Sequence, residues 1–279
     1  MGRRIVRIGC WMLLGLSMAA VAGVPPRPWA SMLLSGTVAI NPDGAVREVA
    51  MDHPEKIPPV VLDVIRQAAK GWRFKVDVTG KVVARARMSL RIVARPVERT
   101  KFSIEVEGMD FTEYGAADGE QILRKFMPAP SYPRDAISVG TSATVYVLAR
   151  VGRDGHVLDA GAEQVNFTMD CPRDSRRGIA NLFAHASESA IRHWTFVVPT
   201  KGALAGDPYW YVRIPVAFHL DYNGMAPRAD DYATWQPYLP GKRRPLPWLK
   251  DQSLVASAPD AIPDGSPTVL GGTLQLVAP

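Results

Sequence analysis

Residues 188–196 read ESAIRHWTF. Ala190, Ile191 and Trp194 fall at i, i+1 and i+4 on one stripe of a helix, and Ala186 and Phe183 carry that stripe back by further turns. The helix expected here ends in the aromatic pair Trp194 and Phe196, and Pro199 and Gly202 stop it. A second copy lies at 67–74, QAAKGWRF, where Ala68 matches Ala190, Trp72 matches Trp194 and Phe74 matches Phe196. An internal repeat constrains architecture more than any single residue does.

The residues upstream match as well. VAINPDGAV at 38–46 parallels ARVGRDGHV at 149–157, and each holds an Asp-Gly pair between apolar residues, a strong short-range hairpin signal. Each copy therefore predicts strand, turn, strand, helix ending in Trp-x-Phe, loop and strand, with the third strands at 82–94 and 209–220. Asp43 to Trp72 is 29 positions, whereas Asp154 to Trp194 is 40. The surplus is expected in the loop 167–177, which holds Cys171 and the basic residues Arg173, Arg176 and Arg177.

The second copy resembles the TonB C-terminal domain family, the periplasmic ends of energy transducers. Tyr132-Pro133 followed by Ala136 looks like the family's opening motif, 145–157 like its first hairpin, Ala190-x-x-x-Trp194-x-Phe196 like its helix end, and Ile214-Pro215-Val216-Ala217-Phe218 like its last strand. The first copy lacks the Tyr-Pro opening. The resemblance implies an α+β fold: two tandem TonB C-terminal-like domains, each a small antiparallel sheet of about three strands on one main helix. The expected organisation is a signal peptide at 1–22, a first domain with an extra strand at 32–108, a connector at 109–128, a second domain at 129–220 and a Pro-rich, largely disordered tail at 221–279. It further implies that a receptor's extended peptide adds to the sheet edge formed by the third strand.

The chain has 279 residues, 22% of them charged and 47% apolar, an ordinary globular balance. Its start looks like a secretory leader: Arg3, Arg4 and Arg7, an apolar run over 8–18, and the small-x-small site Ala20-Val21-Ala22. The alternative is a retained inner-membrane anchor, since the apolar run 8–24 is 17 residues, at the lower limit of about 17–25 for a spanning helix. The Pro-rich stretch 24–31 is short. At ~3.1 Å per residue of polyproline conformation it does not reach across a periplasm as a transducer's spacer does. Without the three leader arginines the formal charge falls from +6 to +3, and nucleic acid is not expected as a partner in an exported compartment. Loss of Cys10 would leave Cys171 alone, with no intramolecular disulfide.

Strict alternation over 82–95 puts Ala84, Ala86, Met88, Leu90 and Ile92 on one face of a strand and Arg85, Arg87, Arg91 and Arg95 on the other. Those arginines suit an anionic partner such as a lipid phosphate or a peptidoglycan carboxylate. Two other readings stand beside that one: a solvated outer face, and internal neutralisation. In the last, 101–107 folds back as an added strand and brings Glu105 and Glu107 against the arginines, each pair contributing ~0.2–1 kcal/mol. In the connector, Asp118 caps a short helix expected over 119–127. In the tail, Tyr232, Trp235, Tyr238 and Trp248 are placed to pack back onto the domain over 222–250. Disorder is expected from 251 onward, save for a hairpin between 268–270 and 273–276 around Gly271-Gly272.

The catalytic search yields no constellation. The five histidines form no His-Glu-x-x-His, and neither a Gly-x-Ser-x-Gly elbow nor a phosphate-binding glycine loop occurs. No enzyme activity, cofactor or metal is expected. The expected function is that of a non-catalytic periplasmic interaction protein, linked to outer-membrane receptors or transport. Its partner would be an envelope protein or receptor peptide added along the second domain's edge at Trp210, Tyr211, Val212 and Arg213, with Tyr132 and Pro133 nearby. The alternatives are an envelope scaffold binding peptidoglycan or lipid, or a membrane-anchored transducer for transmembrane transport if the leader stays.

Overall fold

The structure, a computed structural model, describes residues 27–76, 84–98, 100–113, 118–220, 232–251, 259–262, 267–270 and 274–278. The leader expected at 1–22, with Cys10, lies outside them, as do the first two residues of the strand expected at 82–94. The chain is α+β, its sheets antiparallel throughout.

Strands β1 (Trp29–Ile40) and β2 (Val46–Met51) form the first hairpin, α1 (Pro59–Ala69) follows, and β3 (Arg73–Val76) carries Phe74. Pro58 and Pro59 open α1, where the first N–H groups lack partners in any case. Next come β4 (Ala84–Pro96), β5 (Phe102–Glu113) and β6 (Leu123–Phe126). The second unit holds α2 (Arg134–Ser138), β7 (Ala143–Gly152), β8 (Val157–Phe167), α3 (Arg176–Ile191), β9 (Thr195–Val197) and β10 (Tyr209–Phe218). The tail adds β11 (Gln236–Tyr238), β12 (Thr268–Val269) and β13 (Leu274–Ala278).

The repeat recurs in atomic detail. Gly44 and Gly155 have φ of 81° and 79°. Asp43 and Asp154 accept from the N–H two residues on, at 2.9 and 3.0 Å. The carbonyls of Gly44 and Gly155 accept from the N–H groups of Phe74 and Phe196, both at 2.9 Å. Each turn is thus pinned to the strand after the helix, and Trp72 and Trp194 are buried between them, 2% and 4% exposed. Both helices stop three residues before their tryptophan. The surplus in the second copy is not a loop insertion. Strand β8 is five residues longer than β2, α3 five longer than α1, and the connection between them one longer.

In each unit the hairpin and the returning strand make a sheet, β2-β1-β4 and β8-β7-β10, covered on one face by its helix. The sheets are larger than three strands, because β5 lies beside β4 and β12 beside β10. Val61 and Ile65 of α1 pack on Met88, Leu90 and Ile92, while Phe183 and Ile191 of α3 pack on Val145, Val147 and Ile214. The other faces of the two sheets meet. Arg91 of β4 and Asn166 of β8 reach the same carboxylate, Asp260, at 3.2 and 3.0 Å. The order of layers is α1, first sheet, second sheet, α3.

Three expectations are corrected. Residues 123–126 form a strand rather than part of a helix, pairing with β9 just past Trp194. A helix this short is marginal on its own, and β9 offers a ladder instead. The described tail residues are ordered by pairing: β11 joins β1, β12 joins β10 and β13 joins β3. The tail hairpin at 268–276 does not form, since its two arms go to different sheets, which bury more than an isolated ribbon would.

Candidate interaction edge

Strand β10 pairs with β7 along its full length, Tyr209↔Gly152 to Phe218↔Ala143. On its other side the described residues place only β12, at Val212↔Val269 and Arg213↔Thr268, extended by the Leu270 N–H to the Tyr211 carbonyl at 2.8 Å. That carbonyl points outward, so the two-residue alternation turns the backbone groups of 213, 215 and 217 outward too. Pro215 has no N–H to offer there. The stretch with its full set of outward groups is therefore 211–213, where the tail sits.

The side chains expected to meet a partner mostly turn inward. Trp210, Val212, Ile214, Val216 and Phe218 face α3 and are buried. The Trp210 indole N–H donates to the Leu204 carbonyl at 3.0 Å, so this residue is core and not a contact surface. Arg213 is 2% exposed and grips Glu163 with two hydrogen bonds, 2.6 and 2.9 Å. Tyr132 donates to the Thr141 carbonyl at 2.7 Å and lies edge-on to Phe183 and Phe218; Pro133 caps α2. Both fasten the start of the second unit. Of the four expected on β10 only Tyr211 is not buried; it lies on the face turned away from α3, as Arg213 does, against Tyr209 at 5.3 Å and Trp248 at 6.2 Å. Exposed positions on β10 are Tyr209 and Ala217.

Glu163 escaped the sequence reading. It is placed by a β-bulge in β8, where the register steps from Tyr146↔Gln164 to Val147↔Ala162. Ala162 and Val165 stay on the α3 side, while Glu163 and Gln164 both enter the layer between the sheets. The Glu188 carboxylate accepts the Ala162 N–H at 2.9 Å, so the bulge is capped from the helix. The signal was the adjacent pair Glu163-Gln164 breaking the alternation of a strand.

The layer between the sheets is polar. Arg243 stands 4.0 Å from Glu163, Gln164 donates to Asn166 at 2.8 Å, and the Arg91 guanidinium lies 4.9 Å from the ring centre of Tyr238. Burial pushes the Tyr238 hydroxyl up to about 12. Asp110 of β5 faces Arg213 and accepts from the Thr268 hydroxyl, yet burial outweighs both and raises its carboxyl to about 6. A cavity of about 270 Å³ opens among these groups, lined in part by Ser31, Arg91, Thr144, Tyr146 and Asn166.

The arginine face of β4 is turned largely to carboxylates of the chain itself. Arg87 makes two hydrogen bonds to Asp52, at 3.1 and 2.6 Å. Arg91 meets Asp260 between the sheets, and Arg95 bridges Glu105 and Glu107 on β5 while lying 4.8 Å from the Trp29 ring. Arg85 is exposed. Internal neutralisation is therefore the reading that fits the geometry. Among the described residues no three His, Cys, Asp or Glu groups are near enough to share a metal ion, and no helix is long and apolar enough to cross a membrane. Cys171 is a free, buried thiol whose pKa burial pushes up, holding it as the neutral thiol. Compared with protein-family models, curated proteins and solved structures, the chain matches none.

Proposed function

We propose that the protein is a non-catalytic, exported interaction protein that binds an extended segment of an envelope protein along the β10 edge of its second unit, as the likeness to TonB C-terminal domains implies. One observation carries this reading. Among the described residues strand β10 is paired over ten positions on one side and over two on the other, which leaves outward backbone groups for another strand. Affinity then comes from the main chain and from the less buried Tyr209, Tyr211 and Ala217, on the face turned away from α3, not from the buried Trp210, Val212 and Arg213. Three of the four β4 arginines, Arg87, Arg91 and Arg95, meet carboxylates of the chain itself, which argues against a scaffold held to lipid or peptidoglycan through that face.

A photo-crosslinking residue at Ala217, compared with one at the exposed Leu158 of β8, tests the reading in cells that export the protein. The expected result is an adduct at 217 alone, mapped by mass spectrometry to an extended segment of an envelope protein. Equal or absent adducts at the two positions would overturn it. N-terminal sequencing of the exported protein decides between cleaved leader and retained anchor.

A further inference from the structure

We infer that residues 268–270, Thr-Val-Leu, are a built-in stand-in for the partner, so that the β10 edge accepts an antiparallel segment with a small hydroxyl residue followed by two aliphatic residues, and takes it by displacing the tail. The inference rests on the reading of β10 as the binding edge. It follows from where the three tail residues sit. Thr268 is buried opposite Arg213 and donates to Asp110, a residue of the first unit. Val269 packs against the core under α3. Leu270 lies on the face turned away from α3, with Tyr211 and Trp248, and supplies the N–H bound by the Tyr211 carbonyl. Each position thus has its own surroundings: a carboxylate, an apolar core and an aromatic shelf.

Two features mark this occupant as replaceable. Among the described residues it pairs over two positions, where β5 pairs with β4 over eleven. It also sits on the part of β10 where outward N–H groups are complete, because Pro215 lacks one beyond it. An incoming strand that uses the edge fully must therefore take the place of 268–270. The hydroxyl preference comes from Asp110, a half-buried carboxyl that also has the Phe111 N–H and the Arg213 charge beside it; an aliphatic residue there would leave the carboxyl without the hydroxyl donor that Thr268 gives it.

The test is fluorescence anisotropy with a labelled peptide of residues 266–272, SPTVLGG, titrated against the full chain and against Leu270→Pro, which removes the N–H bound to Tyr211. The expected result is at least tenfold tighter binding by the variant, and at least fivefold weaker binding when the peptide's threonine is replaced by valine. A milder chain variant, Thr268→Val, keeps a β-branched residue and is expected to bind the peptide about two- to fivefold tighter than the unaltered chain. It answers the question if the proline variant does not fold. Equal binding by the unaltered and variant chains would overturn displacement, and indifference to threonine would overturn the hydroxyl rule. If no chain binds the peptide while crosslinking at Ala217 still captures a partner, the stand-in is wrong and the edge reading survives. If the crosslink fails as well, the edge reading falls with it.

Discussion

The two units begin alike and finish differently. Each has an Asp-Gly turn pinned to the strand after its helix, a buried tryptophan and a returning strand beside the first. In the first unit that returning strand is flanked along its length on both sides, by β1 and β5. In the second it is flanked fully by β7 and briefly by β12. A long, open edge is a hazard, and the first unit closes its own with a twelve-residue strand next in sequence. The second closes its edge with a scrap of tail from more than fifty residues away. Among the described residues, then, the first copy's returning strand is flanked on both sides along its length and the second's is not.

The largest expected effect lies where the units meet. Removing one partner of the Arg213–Glu163 pair leaves a buried charge alone, so Arg213→Ala should cost about 3–5 kcal/mol in denaturant unfolding. The double change Arg213→Met with Glu163→Leu should restore most of it. If Arg213 were instead a partner contact, the single change would weaken binding and spare stability. Next in size are the turns. A Cβ at Gly44 would lie 2.1 Å from the Phe74 carbonyl oxygen, and one at Gly155 2.2 Å from that of Phe196. Both glycines have positive φ, so Gly44→Ala and Gly155→Ala should each cost about 1–3 kcal/mol, and by similar amounts. Thermal or urea midpoints that move for one turn only would break the equivalence of the copies.

What the sequence revealed divides along the same line. The Asp-Gly turns and the Trp-x-Phe endings are local signals, and the hydrogen bond that pins each turn to the strand after its helix joins Gly44 to Phe74 or Gly155 to Phe196. Alternation made the arginine face of β4 and its glutamate neighbours on β5 readable. The register of β12 and β13 was not readable, because strands of two and five residues carry no period and their partners are 55–57 and about 200 residues away. Glu163 was hidden for another reason. A bulge shifts alternation by one, so a residue counted toward one face arrives on the other.

A smaller effect is pH-dependent. The Asp110 carboxyl is held up at about 6 in the folded chain, against about 3.9 when exposed, so the folded state binds the proton more tightly. Stability should therefore fall as pH rises from about 4 to about 6, by roughly 1.4 kcal/mol for each tenfold difference in proton affinity. Arg213 and Thr268 face this carboxyl, with Glu163 and Arg243 behind Arg213. Asp52 acts in the opposite sense: Arg87 lowers its carboxyl, so its contribution is lost as pH falls below about 4. In Asp110→Asn the decline between pH 4 and 6 should vanish from urea midpoints, while the loss at lower pH remains. An unchanged decline would show that Asp110 is not the group that couples the tail strand to the first unit.

The smallest expected effect concerns the arginine face of β4. Arg85 is exposed, and Arg85→Ala should change stability by less than about 0.5 kcal/mol. Arg91 is 11% exposed and held at Asp260, so Arg91→Ala should cost several times more. The gradient along one strand runs from solvent into the layer shared by the two sheets. If the face served an anionic partner, both changes would weaken binding to anionic vesicles and their effects on stability would be alike. If it serves the chain, vesicle binding is absent from the start and stability alone records the difference, growing with burial from Arg85 to Arg91.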